Sequence, residues 1–353
     1  MLDHRTVLEI RAGPRAQAHV RDRGLAPADV VCLPAAAGGP KGLGLLPLDE
    51  LLHVEWLARA PRVHLVGASI GAWRAAALAG PDPPAALRRL RHAYVRDQSY
   101  PARPSPAQVS ATIRGVVRQV LDGHPLVVRP GVGLDVLTAR ARGALGQHEP
   151  RRAFARAAFA NAVSRSRLAA HLERVSFHAG NRSALAQPFD AFGWNRVPLD
   201  ADNAEDALLA SGSIPLICAP VVDIARAPPG AYWDGGLIDY HLLLPYARLP
   251  GIVLYPHFAP HVTPGWLDQH LPWRRAPRAH PWLDNVLVIA PAASFVATLP
   301  NGRLPERNDF YRYGTDHARR IRDWERAIGE CGRFADAAMR WLTNPTPEHV
   351  GPL

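Results

Sequence analysis

The sequence is basic, but it contains almost no lysine. Lys41 is the one lysine among 353 residues, so arginine supplies nearly all of the positive charge behind the net charge of +10. Alanine and proline are frequent throughout, as a GC-rich composition would give, and no run of five like charges occurs. Because no nucleic-acid-binding motif accompanies the charge, we expect no nucleic acid among the partners.

Cysteine is scarce, and long apolar runs are missing. The three cysteines, Cys32, Cys218 and Cys331, are odd in number and form no C-x-x-C pair. That pattern argues against a disulfide framework and against a zinc site. No run of about 18 apolar residues predicts a transmembrane helix, and the first residues lack a signal-peptide core. We therefore expect a cytoplasmic protein that contacts the inner face of a membrane at most peripherally.

The first third of the chain alternates strand and helix patterns. Short apolar runs predict buried strands over 29–33 and 63–66. Each run is followed by a turn of small residues and then by a helical pattern, over 40–58 and 70–78 respectively. An alternation of strands and helices is typical of a parallel sheet covered by helices.

The remainder continues one domain rather than starting a second. A helical insertion is expected over about 81–170. Apolar runs predict further buried strands at 175–178, 251–255 and 285–289. Apolar residues at helical spacing predict a long amphipathic helix over 318–341. We interpret residues 1–300 as one α/β domain and 301–353 as a helical extension packed on it.

The sharpest local motif is Gly67-Ala68-Ser69-Ile70-Gly71. It follows one predicted strand and opens one predicted helix, which is the setting of a nucleophile elbow. Gly67 and Gly71 leave room for neighbouring backbone, and the helix N-terminus favours negative charge beside the serine. The motif therefore predicts Ser69 as a nucleophile, although alone it would also fit an ordinary strand-to-helix turn.

A second motif, Ala37-Gly38-Gly39-Pro40-Lys41-Gly42, joins the preceding strand to its helix. A serine hydrolase needs backbone N–H groups to stabilise an oxyanion, and glycines let that backbone approach closely. Since Pro40 has no N–H, the candidate donors are Gly38, Gly39, Lys41 and Gly42. A phosphate-binding loop would need Ser or Thr after the lysine, where this sequence has glycine. The loop therefore predicts an oxyanion hole.

The third motif is Trp233-Asp234-Gly235-Gly236, far downstream of the serine. A nucleophilic serine needs a base, and a carboxylate can serve when partial burial raises its pKa. Asp-Gly-Gly is also an ordinary turn signal. We predict Asp234 as the base, with Gly235 and Gly236 shaping its turn.

Together these motifs resemble those of the patatin-like phospholipase family, over residues 29–240. That family pairs a Gly-Gly-Gly-x-Arg/Lys-Gly loop with a Gly-x-Ser-x-Gly elbow and a distant Asp-Gly-Gly or Asp-Gly-Ala. The stretch Ala-Ser-Gly-Ser-Ile-Pro at 210–215 is similar to its segment between serine and aspartate. The resemblance implies an α/β three-layer sandwich, with a mostly parallel sheet between helices. It also implies hydrolysis of lipid carboxylic esters, of phospholipase A or lysophospholipase type, by a Ser69–Asp234 dyad without metal or cofactor.

One departure and two alternatives bear on this assignment. Ala37 stands where the family has its first glycine, and because alanine keeps the N–H we expect activity to survive. Histidines after Asp234 also fit the Ser, Asp, His order of an α/β-hydrolase triad. The candidates are His241, His257, His261 and His280. A catalytically silent lipid-binding or protein-binding module on the same fold is the second alternative.

A segment rich in tryptophan and arginine lies at 266–282. Its aromatic and basic residues interleave as Trp266, Trp273, Arg274, Arg275, Arg278 and Trp282. Amphipathic aromatics beside arginine suit an anionic membrane interface, whereas a loop that packs its own aromatics has the same composition. The segment is a candidate for peripheral membrane contact. The motifs assign no head group, acyl length or oligomeric state.

Overall fold

The computed structural model describes residues 6–60, 62–146, 150–185, 187–274 and 280–353. Within these residues eleven strands form one sheet. They are β1 (Leu8–Ala12), β2 (Val30–Ala35), β3 (Val63–Ala68), β4 (Val132–Ala141), β5 (Leu172–Gly180), β6 (Asn195–Pro198), β7 (Val221–Val222), β8 (Ala231–Asp234), β9 (Ile252–Pro256), β10 (Val286–Pro291) and β11 (Val350–Pro352).

Helices flank the sheet. The α-helices are α1 (Pro14–Arg23), α2 (Leu46–Leu51), α3 (Ile70–Ala79), α4 (Pro83–His92), α5 (Pro106–Leu121), α6 (Pro150–Val163), α7 (Arg165–Leu168), α8 (Ala204–Ser211), α9 (Ala293–Val296), α10 (Asp309–Tyr313) and α11 (His317–Thr343). Among the described residues no helix combines the length and apolar character needed to cross a bilayer.

The centre of the sheet is parallel, as predicted. Strands β10, β9, β2, β3 and β4 are neighbours in that order, and each adjacent pair runs parallel. Antiparallel pairs join β1 to β10 on one side and β5 to β4 on the other. Every residue of β3 and of β10 is buried, because helices cover both faces of such a sheet. This mostly parallel sheet between helices confirms the predicted three-layer α/β sandwich.

The strand order reverses beside β2. From β2 the chain continues to β3 on one side, whereas β9 and β10 lie on the other side. Ligand sites in open α/β sheets form at the carboxyl ends of the strands next to such a reversal. The glycine loop follows β2 and the elbow follows β3, so both predicted motifs lie at this edge of the sheet.

The stretch 81–170 is only partly helical. Helices α4 and α5 lie where they are predicted, but β4 occupies the middle of the sheet between β3 and β5. The sequence hides this strand because Asp135 and Thr138 interrupt its apolar pattern. Asp135 is buried against His64, whose Nε2 lies 2.8 Å from the carboxylate, and Thr138 donates to the Val175 carbonyl.

The helix predicted over 40–58 is broken into short pieces. A 3₁₀ helix spans Gly39–Leu45, α2 follows, and a π-helical turn spans Leu52–Trp56. Gly42 and Gly44 explain the tight first part, since a Cβ at Gly42 would lie 2.8 Å from Ile70 Cγ2. Proline and glycine at these positions also lower the preference for a regular α-helix.

The C-terminal segment 301–353 is tied to the same body. The predicted amphipathic helix is α11, which ends before Asn344 and buries Trp324, Ile328 and Phe334. It packs against α2 and the 3₁₀ helix of the glycine loop. After α11 the chain returns to the sheet, where β11 pairs with β1.

Gly67 and Gly71 allow α3 to begin directly on the sheet. A Cβ at Gly67 would lie 2.5 Å from the carbonyl oxygen of Gly71, and a Cβ at Gly71 would lie 1.9 Å from that of Ala35. Both obstacles are backbone atoms, which cannot rotate away. A side chain at either position would therefore push the serine turn off the ends of β2 and β3.

We predict that Gly71→Ala lowers the free energy of unfolding by at least about 2 kcal/mol, because the new Cβ meets backbone. Gly115→Ala is the matched control: this glycine lies in the exposed middle of α5, and a Cβ there meets nothing within 4 Å. The control should raise the free energy of unfolding by about 0.5–1 kcal/mol. Urea unfolding followed by circular dichroism measures both, and wild-type stability in Gly71→Ala would contradict the prediction.

Candidate active site

Ser69 lies in a strained turn between β3 and α3. Its backbone has φ 58° and ψ −135°, a left-handed conformation that non-glycine residues seldom adopt. Its side chain sits at the N-terminus of α3, and the residue is 6% exposed. Backbone strain of this kind persists only where the surroundings impose it, and it clusters at functional sites. The predicted elbow therefore has the geometry that presents a serine hydroxyl above a sheet.

Ser211, at the end of α8, fixes the backbone of this turn. The Ser69 N–H donates to Ser211 Oγ at 2.9 Å, and Ser211 Oγ donates to the Leu137 carbonyl of β4 at 2.7 Å. Two residues later, the Ser213 carbonyl accepts the N–H of Asp234 at 2.9 Å. The stretch 210–215 thus connects the serine turn to the aspartate.

Asp234 ends β8 and meets the serine directly. Ser69 Oγ donates to Asp234 Oδ2 at 2.7 Å, and the Gly236 N–H donates to Oδ1 at 2.7 Å. Gly235 is required behind it, since a Cβ there would lie 2.2 Å from the Leu137 carbonyl oxygen. The structure therefore brings together the two side chains that the sequence predicts as nucleophile and base.

Burial raises the pKa of Asp234 to about 6. Desolvation of the carboxylate is the main cause. The hydrogen bonds from Ser69 and Gly236 and the charge of Arg307 act in the opposite direction. At neutral pH the carboxylate is still ionised, but it is a stronger base than an exposed aspartate.

The glycine loop offers two free N–H groups beside the serine. Gly38 precedes the 3₁₀ helix and Gly39 opens it with φ 55°, and neither N–H has a hydrogen-bond partner among the described residues. The 3₁₀ helix that begins here has hydrogen bonds between residues i and i+3, so the N–H groups of Lys41 and Gly42 are directed at backbone carbonyls of the loop and are not free. Of the predicted oxyanion donors, Gly38 and Gly39 are the pair left free.

The backbone of Ala37 holds the glycine loop in place, at the position where this sequence has alanine before two glycines. Its N–H donates to the Tyr240 carbonyl at 2.9 Å, so it is already used in holding the loop. Its φ is not positive either, unlike that of Gly39. Gly38 does need to be glycine, because a Cβ there would lie 2.5 Å from the Phe258 ring.

Two cavities meet at Ser69. One is lined by polar and apolar groups in similar measure, and we call it the polar cavity because charged and amide side chains gather there: Lys41, Asp234, Gln269, Glu306, Arg307 and Asn308, beside Gly38, Gly39 and Ser69. The other is mainly apolar, and its lining includes Gly39, Ser69, Ile70, Trp73, Tyr94, Tyr100, Val109, Ile113, Ile214, Ile217, Arg307 and Phe310. The serine therefore lies between a cavity that contains charged groups and a mainly apolar one.

The family model that describes patatin-like phospholipase matches residues 36–244. This range covers more than half of the chain and includes the glycine loop, the elbow and Asp234. The chain belongs to the patatin-like phospholipase family. Within this family member, the loop, the elbow and the aspartate occur in the order in which the structure assembles them around one cavity.

Similarity to solved structures and to curated proteins is limited. Among solved structures, human GIVD cytosolic phospholipase A2 is similar over 95% of this chain, with 11% sequence identity and a TM-score of 0.37. The chain spans 63% of the length of that protein. No curated protein matches the sequence.

The histidines of the alternative triad lie in other hydrogen bonds. His257 Nδ1 accepts the Ala259 N–H at 2.9 Å, and His241 Nδ1 accepts the Thr263 N–H at 3.1 Å. Burial lowers the pKa of His257 to about 3 and that of His241 well below its usual value. His280 Nδ1 accepts from Trp282, and His261 lines a neighbouring cavity with Lys41. The serine hydroxyl donates to Asp234 instead.

The aromatic segment divides into packed and exposed parts. Trp282 packs edge-on against Phe189 at 5.0 Å, and Trp266 is partly buried beside the polar cavity. Trp273 is 73% exposed, whereas Arg274 donates to the carbonyl of Asn161. Arg275 and Arg278 lie outside the described residues. Membrane contact through this segment stays a prediction, and among its described tryptophans Trp273 is the exposed one.

Sequence reasoning missed a buried ion pair that supports the site. Arg74 of α3 donates to both carboxylate oxygens of Asp49 in α2, at 2.6 and 2.8 Å. The pair connects the helix after the elbow to the helix after the glycine loop, and removing one partner of such a pair costs about 3–5 kcal/mol. The available signal was Arg74 itself, a single charge in an otherwise apolar helix.

The raised pKa of Asp234 predicts that this carboxylate destabilises the fold at high pH. Its unfolded pKa is about 3.9, so the folded state holds the proton more tightly and stability falls as pH rises through about 6. Asp234→Asn should therefore be more stable than wild type at pH 8, by on the order of 2–3 kcal/mol. The gain should vanish towards pH 4.

Urea unfolding at several pH values measures this difference. Asp22→Asn is the control, because Asp22 is exposed and pairs with its neighbour Arg21. The control should leave stability close to that of wild type at every pH, because an exposed ion pair contributes little. A variant Asp234→Asn that is less stable than wild type at pH 8 would show that the carboxylate does not carry this desolvation cost.

Proposed function

We propose that this protein hydrolyses carboxylic ester bonds of lipids, with Ser69 as nucleophile and Asp234 as its base. The observation that carries the proposal is the 2.7 Å hydrogen bond from Ser69 Oγ to Asp234 Oδ2, at the point where a polar and an apolar cavity meet. Membership of the patatin-like phospholipase family supports the lipid ester as substrate.

Acylation starts with proton transfer from Ser69 to Asp234 as the hydroxyl oxygen attacks the ester carbonyl. The carbonyl oxygen becomes an oxyanion, which the free N–H groups of Gly38 and Gly39 stabilise together with the N-terminus of α3. When the tetrahedral intermediate collapses, the bond to the alcohol breaks and Asp234 returns the proton to the leaving oxygen. The acyl group remains on Ser69.

Deacylation repeats these steps with water. Asp234, ionised again, takes a proton from a water molecule as that water attacks the acyl-enzyme carbonyl. The same N–H groups hold the second oxyanion, and Ser69 recovers its proton when the fatty acid leaves. A base with a pKa of about 6 suits both acylation and deacylation, since it can accept a proton at neutral pH and can still donate that proton to the leaving oxygen.

The two cavities give the substrate an orientation. The apolar cavity, lined by Trp73, Val109, Ile113 and similar side chains, suits the acyl chain because burial of each CH₂ contributes about 0.8 kcal/mol. The polar cavity suits the alcohol half, whose head group is hydrated. A phospholipase A or lysophospholipase reaction therefore fits the compartments on both sides of Ser69.

The geometry favours this proposal over the two alternatives. A histidine triad requires an imidazole on the serine hydroxyl, but in the described structure Asp234 occupies that hydrogen-bonding position. A silent binding module needs no candidate nucleophile, base and free N–H pair, and the arrangement of Ser69, Asp234, Gly38 and Gly39 supports an active site instead.

We predict that Ser69→Ala and Asp234→Asn each lower kcat/KM by at least about 10³-fold on a p-nitrophenyl acyl ester. Loss of the hydroxyl removes the nucleophile, and the amide cannot accept the serine proton. Ser166→Ala and Asp22→Asn are the matched controls, since both positions are exposed and remote from the cavities. Full activity in either site variant, with the fold intact by circular dichroism, would sink the proposal.

A further inference from the structure

The segment after residue 300 forms one wall of both cavities, although it lies outside the range 36–244 that the family model matches. Glu306, Arg307 and Asn308 line the polar cavity, and Arg307, Phe310 and Tyr311 line the apolar one. Among the described residues, Gly39, Ser69, Ile214 and Arg307 line both. Arg307 is the charged member of this set, so its guanidinium lies where the two halves of a substrate would join.

The charge of Arg307 has no acidic partner in the described structure. Its guanidinium stacks on the Trp266 ring, with 5.4 Å from Cζ to the ring centroid, and it makes no ion pair. Stacking of this kind leaves the edge of the guanidinium, with its N–H donors, available. A cation that lines a cavity without an acidic partner raises the local concentration of anionic ligands.

The neighbouring acids are already engaged. Glu306 forms an ion pair with Arg303, whose Nε lies 2.9 Å from the Glu306 carboxylate. The two oxygens of Asp234 accept hydrogen bonds from Ser69 and Gly236. Arg307 therefore gives the junction of the cavities a positive charge that the surrounding side chains leave available to a ligand.

We propose that Arg307 binds the phosphate of the substrate's leaving half and thereby sets a preference for phosphate-bearing acyl esters over neutral ones. The inference rests on the proposed function, because it takes Ser69 as the reacting atom. With the acyl chain in the apolar cavity and the ester at Ser69, a glycerophosphate head group enters the polar cavity beside Arg307. A guanidinium fork matches phosphate geometry and forms charge-assisted hydrogen bonds.

A second role for Arg307 would act through Asp234. Its charge contributes to lowering the pKa of that carboxylate, so its loss would raise this pKa and disfavour the ionised form. That effect would be the same for charged and neutral substrates and would shift the pH profile. A comparison of two substrates at pH 8, where Asp234 is ionised in either case, separates head-group binding from this effect.

The test measures kcat/KM at pH 8 for lysophosphatidylglycerol and for monoacylglycerol of the same acyl length, below their critical micelle concentrations. The readout is the ratio of the two values. In Arg307→Met this ratio should fall by about 10- to 100-fold, because charged hydrogen bonds to the phosphate are lost. Arg307→Lys should recover part of the ratio, since it keeps the charge without the fork.

Arg312→Met is the matched control, because Arg312 is exposed on α10 and lines neither cavity. It removes the same charge from the same segment and should leave the ratio unchanged. An equal fall on both substrates in Arg307→Met, or an unchanged ratio, would overturn the assignment while the hydrolase proposal stands. If wild type cleaves neither lipid nor a p-nitrophenyl ester, the proposed function itself fails.

Discussion

The hydrogen bond between Ser69 and Asp234 is the contact on which the rest of the site depends. The two oxygen atoms lie 2.7 Å apart because a strained turn directs the Ser69 hydroxyl, and the end of β8 directs the Asp234 carboxylate, to the same point. Ser211 holds the turn to β4, and Gly235 lets β8 approach the same strand. The central strand β4 is therefore the common support of the proposed nucleophile and base.

The burial that makes Asp234 a stronger base than an exposed aspartate also opposes folding. Removing the Asp234 carboxylate from water raises its pKa to about 6, which gives a stronger base and a less stable folded state at neutral pH. Active sites commonly carry such costs, and the surrounding structure offsets them. Here the buried pair of Arg74 and Asp49 and the apolar face of α11 fix the helices around the loop and the elbow.

Much of this site could be predicted because its motifs are local. Three parts of the site each depend on a few adjacent residues, whose backbone requirements are visible in the sequence. They are the turn at Ser69, the loop with free N–H groups at Gly38 and Gly39, and the Asp-Gly-Gly turn. Long-range features were not predictable in this way. Strand β4 was not predicted because the residues that contact the buried Asp135, His64 and Ser176, are distant in sequence. Arg307 was not predicted as a site residue because only the fold places residues after 300 beside the serine.

Labelling with a fluorophosphonate tests the central claim most directly, because the reagent traps a serine only where a base activates it. At pH 8 the account predicts a single modified residue, Ser69, identified by mass spectrometry of the digested protein. It also predicts no labelling in Ser69→Ala and labelling slowed by at least about 10²-fold in Asp234→Asn, since loss of a catalytic base costs 10²–10⁴-fold. Modification of another residue, or an unchanged labelling rate in Asp234→Asn, would contradict the account.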